Sequence, residues 1–207
     1  MICDVRFVKC DSDMNEEERL KIRDIQTREL YANIGEFVVK FEHVCRAMQS
    51  TITMMMYKQG LQNQQVTHIF LAGYTADPLR TLLESLIGEL VTPNDKERKI
   101  VKNILSRIQK LTEKRNDVVH STWFIGWGNE QTQDFSEAPG HKLHKNKQGA
   151  SIKSFRYKAE DFSSLVDEAK KLSSFVSTLN ICILEGYSIE NFFKTNEAGN
   201  VVDKNEL

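Results

Sequence analysis

Proline and glycine are scarce in this chain, at three and ten of 207 residues. Both interrupt regular backbone, so their scarcity leaves long stretches free to be helical. Long apolar runs are missing as well. None approaches the ~18 residues that a membrane-crossing helix needs, so no membrane partner is expected. Charge of one sign is not in excess: 28 Lys and Arg face 29 Asp and Glu, for a formal net charge of -1. That excludes a generally basic nucleic-acid binder, and any RNA contact has to come from local patches. The four cysteines, Cys3, Cys10, Cys45 and Cys182, lack metal-ligand spacing. Asp4, Arg6 and Lys9 interrupt the apolar residues at the start, which therefore does not read as a signal peptide. The expectation is reduced thiols in a cytoplasmic protein, with neither metal nor cofactor signalled.

What is present is helical periodicity. With 40% hydrophobic and 28% charged residues, the composition is that of a globular protein able to bury a sizeable core. Cys3, Val5 and Phe7 alternate with charged residues as a weak strand would. An acidic stretch over residues 11–18 is expected to be exposed. From there to about Tyr57 apolar residues recur every three or four positions, among them Leu30, Phe37, Phe41, Val44, Met48 and Ile52, and Gly60 closes the helix. Asp77-Pro78 predicts the N-terminus of a second helix, packing through Leu79, Leu83 and Leu86. Thr92-Pro93-Asn94 stops it, and Asn94 with Glu97 predicts a capping box for a third helix. That helix packs through Ile100, Ile104, Leu105, Ile108 and Leu111. Beyond it the pattern changes. Trp123, Phe124, Ile125 and Trp127, then Ile152, Phe155 and Tyr157, predict two strands joined by a long loop. A last helix is expected from near Ala159, followed by a polar, frayed end from Asn196.

The third helix ends in Arg115-Asn116-Asp117-Val118-Val119-His120, followed by Ser121 and Trp123. Arg115 lies four residues past Leu111 and so continues the apolar seam. Arginine is a poor packing residue unless its planar fork meets an anion or a carboxylate. Histidine exchanges a proton near neutral pH. Together they suggest phosphate chemistry. At about 100° per residue, Arg115 and His120 are roughly 140° apart around one helix, which favours a site completed by a second copy. Asn116 and His120, four apart, share a face.

This motif resembles the Arg-x4-His signature of HEPN domains in its Arg-Asn-x-x-x-His form. The preceding helix Gly35–Val44, the Leu-rich helix and the basic motif helix resemble the family's helix order, over roughly residues 30–125 and again near 160–185. The resemblance implies a mainly α fold: an antiparallel bundle of four to five helices forming a single domain over 1–207, with 121–158 a β-hairpin insertion and 196–207 a flexible tail. It also implies a homodimer and a metal-independent endoribonuclease, serving as a toxin or phage-defence effector with an antitoxin or other regulatory protein as partner. His120 would act as general acid or base, Arg115 would hold the phosphate, and Asn116 would orient the histidine or the substrate.

Other residues are candidates for holding RNA. Glu42, amid the apolar face of the first long helix, is read as a buried partner of Arg115. Asp117 is another possible partner. Ser121 and Trp123 adjoin the motif, with Trp123 the better of the two tryptophans for stacking on a base. Lys114 belongs to a basic motif helix that also carries Lys96, Arg107 and Lys110. Lys145 belongs to a basic loop over 141–147, in which His141 and His144 form at most an adventitious metal pair. Two other readings stand beside the enzyme: a non-catalytic HEPN module that binds a nucleotide or a protein, and a structural dimerisation domain.

Overall fold

The computed structural model describes residues 15–127, 134–146, 149–196 and 199–204. It is mainly helical, with five α-helices among the described residues and small antiparallel sheets. The helices are α1 (Glu16–Lys58), α2 (Gln64–Leu71), α3 (Ala76–Leu86), α4 (Asp95–Val119) and α5 (Ala159–Glu185). Strands β1 (Thr122–Trp123), β2 (Glu137–Asn146) and β3 (Gly149–Lys158) form one antiparallel sheet in that order, and β4 (Phe193–Thr195) pairs with β5 (Val201–Asp203). No helix among the described residues is long and apolar enough to cross a membrane. The chain divides into two compact units, one of residues 1–35 and 120–163, the other of 36–119 and 164–207.

Local chemistry sets the helix ends. At α1 the Asn15 side chain accepts from the Glu18 N–H at 2.8 Å and Glu18 reaches back to the Asn15 N–H at 3.4 Å, a capping box that starts the helix inside the acidic stretch. Glu16, Glu17 and Glu18 complement the positive end of the helix dipole. At the other end Gly60 takes φ +98°, which lets the Leu61 N–H reach the Met56 carbonyl at 3.1 Å. The expected capping box at α4 is present: Asn94 Oδ1 accepts from the Lys96 and Glu97 N–H groups, and Glu97 Oε2 accepts from the Asn94 N–H. Asp77 does not cap α3. The helix starts two residues earlier than expected, at Ala76 behind Thr75, and Asp77 binds Arg80 at 2.9 Å instead.

The larger unit buries the predicted stripe of α1 from Phe37 to Met55, with Leu79 and Leu83 of α3. Ile104 and Ile108 of α4 and Leu172, Phe175 and Leu179 of α5 complete this core. Each such side chain contributes about 1.5–3 kcal/mol of burial. Arg107, one of the cations read as part of a basic patch, is a structural tie. It makes a two-pronged contact with Glu168 at 2.7 and 2.8 Å, donates to the Val201 carbonyl and lies 5.3 Å from the Phe175 ring centroid. Val201 is buried and β5 is a strand, so residues 201–203 are ordered where a frayed end was expected.

The smaller unit is built on an aromatic cluster. Trp123, Tyr157 and Phe162 meet at centroid distances of 5.2–5.7 Å, and Phe155 adjoins Trp123 and Tyr157. Gly140 lies opposite Trp123, and a Cβ there would sit 2.7 Å from the indole. Residues 141–146, expected in a loop, form the outer half of β2 instead, paired from His141↔Ser154 to Asn146↔Gly149. Leu143 is their only apolar residue, so the strand is set by its pairing with β3 and not by a local pattern. The N-terminal strand expected at 3–7 lies outside the described residues.

Candidate functional site

Leu111 and Val118 turn the last part of α4 into the core, and Arg115 sits between them, three-quarters shielded from solvent. Its guanidinium carbon stands 5.7 Å from the centroid of the Phe41 ring on α1. Glu42, the next residue of α1, also reaches the guanidinium, with its Oε1 3.4 Å from Arg115 Nη2. Asn116 Oδ1 is 3.5 Å from Arg115 Nη1. Both contacts are long for charge-assisted or amide hydrogen bonds. Arg115 Nε is buried and has no hydrogen-bond partner among the described residues. The arginine therefore holds donor capacity that its present contacts leave unspent.

Glu42 is not the buried residue the sequence suggested. Its side chain is 56% exposed at the edge of the α1 stripe, so it screens Arg115 from the solvent side. Cys45 follows one turn along and is buried. Burial foremost, reinforced by the Glu42 carboxylate and opposed by Arg115, pushes its thiol up to about 12. At neutral pH Cys45 is thus a protonated packing residue and not a nucleophile. Asp117 is buried in the motif turn and engaged in contacts of its own. Phe41 as a platform for the guanidinium was missed by sequence reasoning. Its signal was available, since Phe41 immediately precedes the acid singled out as a partner.

The proposed site residues fall in both units. Arg115, Asn116 and Glu42 come together in the larger one, with Lys114 exposed on α4 beside them. His120, Ser121, Trp123 and Lys145 belong to the smaller one. His120 is exposed and is the first residue past the end of α4, and Ser121 is half-buried. Trp123 packs in the aromatic cluster, so it is not presented for stacking. The exposed indole is Trp127, at 74%. Lys145 is exposed five residues along β2 from the position opposite Trp123, about 17 Å at strand rise, so those two do not share one small site. His141 and His144, three apart on one strand, point to opposite faces and cannot chelate one ion. Among the described residues no three His, Cys, Asp or Glu side chains cluster as metal ligands would.

A cavity of about 420 Å³ lies elsewhere in the larger unit, lined by Met55, Lys58, Leu90, Glu97, Cys182 and Ile189, and it includes none of the motif residues. Lys58 spans its rim by donating to the Ile183 and Leu184 carbonyls at the end of α5. No family model matches the chain, and neither a curated protein nor a solved structure does.

Proposed function

We propose that this chain is a metal-independent endoribonuclease of HEPN type, working as a homodimer whose two copies complete each site. The observation that carries the reading is Arg115: a guanidinium three-quarters shielded at an apolar seam position, backed by Phe41, with a buried Nε–H that has no hydrogen-bond partner among the described residues. A buried unsatisfied donor costs about 1–3 kcal/mol, and a phosphate oxygen would repay it. In this reading His120 takes the proton of a ribose 2′-hydroxyl. The 2′-oxygen attacks the adjacent phosphorus, the bond to the 5′-oxygen breaks, and a proton returns to that leaving oxygen. The products are a 2′,3′-cyclic phosphate and a 5′-hydroxyl. Arg115 stabilises charge on the non-bridging oxygens, and Asn116 orients the imidazole or the substrate. Because the nucleophile belongs to the substrate, RNA is cut and DNA is not. A role as toxin or phage-defence effector, restrained by an antitoxin or regulatory protein, accords with the family resemblance.

The composite site is tested by mixing subunits. Arg115→Ala and His120→Ala homodimers should each be inactive, and their heterodimer should regain part of the activity. A monomer at micromolar concentration would reject the shared site.

The Glu42–Arg115 pair favours one second reading, a non-catalytic module that holds an anion or a partner's carboxylate without turnover. Tight binding of a nucleotide by pure protein, with no RNA cleaved, would select it.

A further inference from the structure

The charge of this chain is unevenly placed. Residues 137–158 carry Lys142, Lys145, Lys147, Lys153, Arg156 and Lys158 against Glu137 alone, while the whole chain has a formal net charge of -1. The register assigns these residues to faces of a two-stranded ribbon. Gly140 and Phe155, opposite each other, turn toward the Trp123 cluster, and further out on that face Lys142 pairs with Lys153. The other face bears His141, Leu143, Lys145 and Arg156, with the Glu137 carboxylate 3.8 Å from Arg156 at its inner end. At its root Phe124 lies 5.5 Å from the His141 ring and 5.2 Å from Trp127. Trp127 is 74% exposed, which is unusual for the largest apolar side chain.

We infer that this second face, from Trp127 along β2 and β3, is a platform for a single-stranded polynucleotide. A base stacks on the Trp127 indole, and Lys145 and Arg156 neutralise phosphates along the strand. Stacking tolerates any base, and the face offers few groups that read base edges, so binding is sequence-tolerant. A ribbon can enter the major groove of a DNA duplex, but an indole at its root has no unstacked base to meet there. A membrane surface fits less well. Leu143 and Ile152 are exposed, yet lysines occupy both faces of the ribbon, and an interfacial element needs its charges segregated on one. The inference stands on charge, register and exposure and does not depend on RNA cleavage.

The test uses the full chain carrying His120→Ala, so that no probe is consumed, and a fluorescein-labelled 12-nucleotide single strand read by anisotropy. Trp127→Ala should weaken binding about 5- to 150-fold, with an unchanged circular dichroism spectrum, since stacking contributes about 1–3 kcal/mol per base. Lys145→Gln with Arg156→Gln should flatten the logarithmic salt dependence by about 1.4, two phosphates at ~0.7 each. Single-stranded RNA and DNA of one sequence should bind within about threefold if base and phosphate are all that is read. A larger preference for RNA would overturn that shared chemistry. Equal or tighter binding to a duplex, indifference to Trp127→Ala, or preference for vesicles with anionic lipid would overturn the platform. Cleavage by the Trp127→Ala chain with the native His120 is a separate readout. RNA cut despite a failed platform leaves the nuclease reading standing.

Discussion

Replacing Glu97 with glutamine tests how the motif helix is held at its far end. Glu97 Oε2 accepts from the Asn94 N–H at 3.1 Å as the return bond of the α4 capping box. Oε1 accepts from Ser188 Oγ at 2.8 Å and the Ile189 N–H at 2.9 Å, joining the start of α4 to the segment after α5. Burial raises the carboxyl's pKa, but the hydrogen bonds from Ser188, Asn94 and Ile189 outweigh it and the net direction is downward. Three bonds to a charged acceptor, discounted for partial exposure, come to about 3 kcal/mol. Glutamine keeps one acceptor oxygen, so the expected loss is about 1.5–2 kcal/mol near pH 7. For a chain of this size that is roughly 3–8 °C in Tm. The sign with pH follows from the lowered folded pKa. The carboxylate's stabilisation is present in full above the ordinary glutamate pKa of 4.5 and fades as pH falls through the lower folded value. Melting the parent and Glu97→Gln from pH 7 to pH 3 should show a gap that narrows on the acidic side. A gap that is constant across that range, or no gap at pH 7, would refute the argument.

Gly140→Ala should destabilise the sheet of β1, β2 and β3 by about 1–3 kcal/mol, because the new methyl lies 2.7 Å from Trp123; near-ultraviolet circular dichroism of the indole reports it, and an unshifted spectrum and Tm would show that the strand gives way freely. Glu42→Gln should tighten phosphate or nucleotide binding about 1.4- to 5-fold, since it removes a half-exposed competitor of about 0.2–1 kcal/mol; weaker binding by calorimetry would mean that Glu42 orients the ligand instead. With its pKa near 12, native Cys45 should have roughly one thiolate in ten thousand at pH 8, so it should react with Ellman's reagent only as the protein unfolds; fast labelling of the folded chain would contradict its burial.

Some of this was legible in the residues. The α1, α4 and α5 stripes have the helix period over many turns, and the same Phe37–Met55 and Ile100–Leu111 positions form the core. The Asn94–Glu97 box was readable because capping is local chemistry. Helix α2 escaped notice for the opposite reason: its eight residues leave Ile69 and Phe70 exposed, so no buried stripe marks it. Lysines and histidines between 141 and 146 looked like a loop because five of these six residues are polar and no period marks them. Their strand depends on pairing with residues 149–154, which is not a local property. Around Arg115 the sequence pointed to Glu42 as partner but misjudged its burial, because a helix-face position does not tell whether a neighbouring element covers it. It favoured Trp123 over Trp127 for stacking through proximity to the motif. Proximity in sequence says nothing about the Phe155, Tyr157 and Phe162 rings that occupy Trp123.

The central claim is that His120 and Arg115 cut RNA through the substrate's own 2′-hydroxyl. Purified protein is incubated in EDTA with a single-stranded RNA and with the same RNA carrying 2′-O-methyl groups, and the products are identified by mass spectrometry. The account predicts fragments ending in a 2′,3′-cyclic phosphate from the first RNA only, and none from either RNA with a folded His120→Ala chain. Cleavage retained by that variant, or cleavage of the methylated RNA, would contradict it.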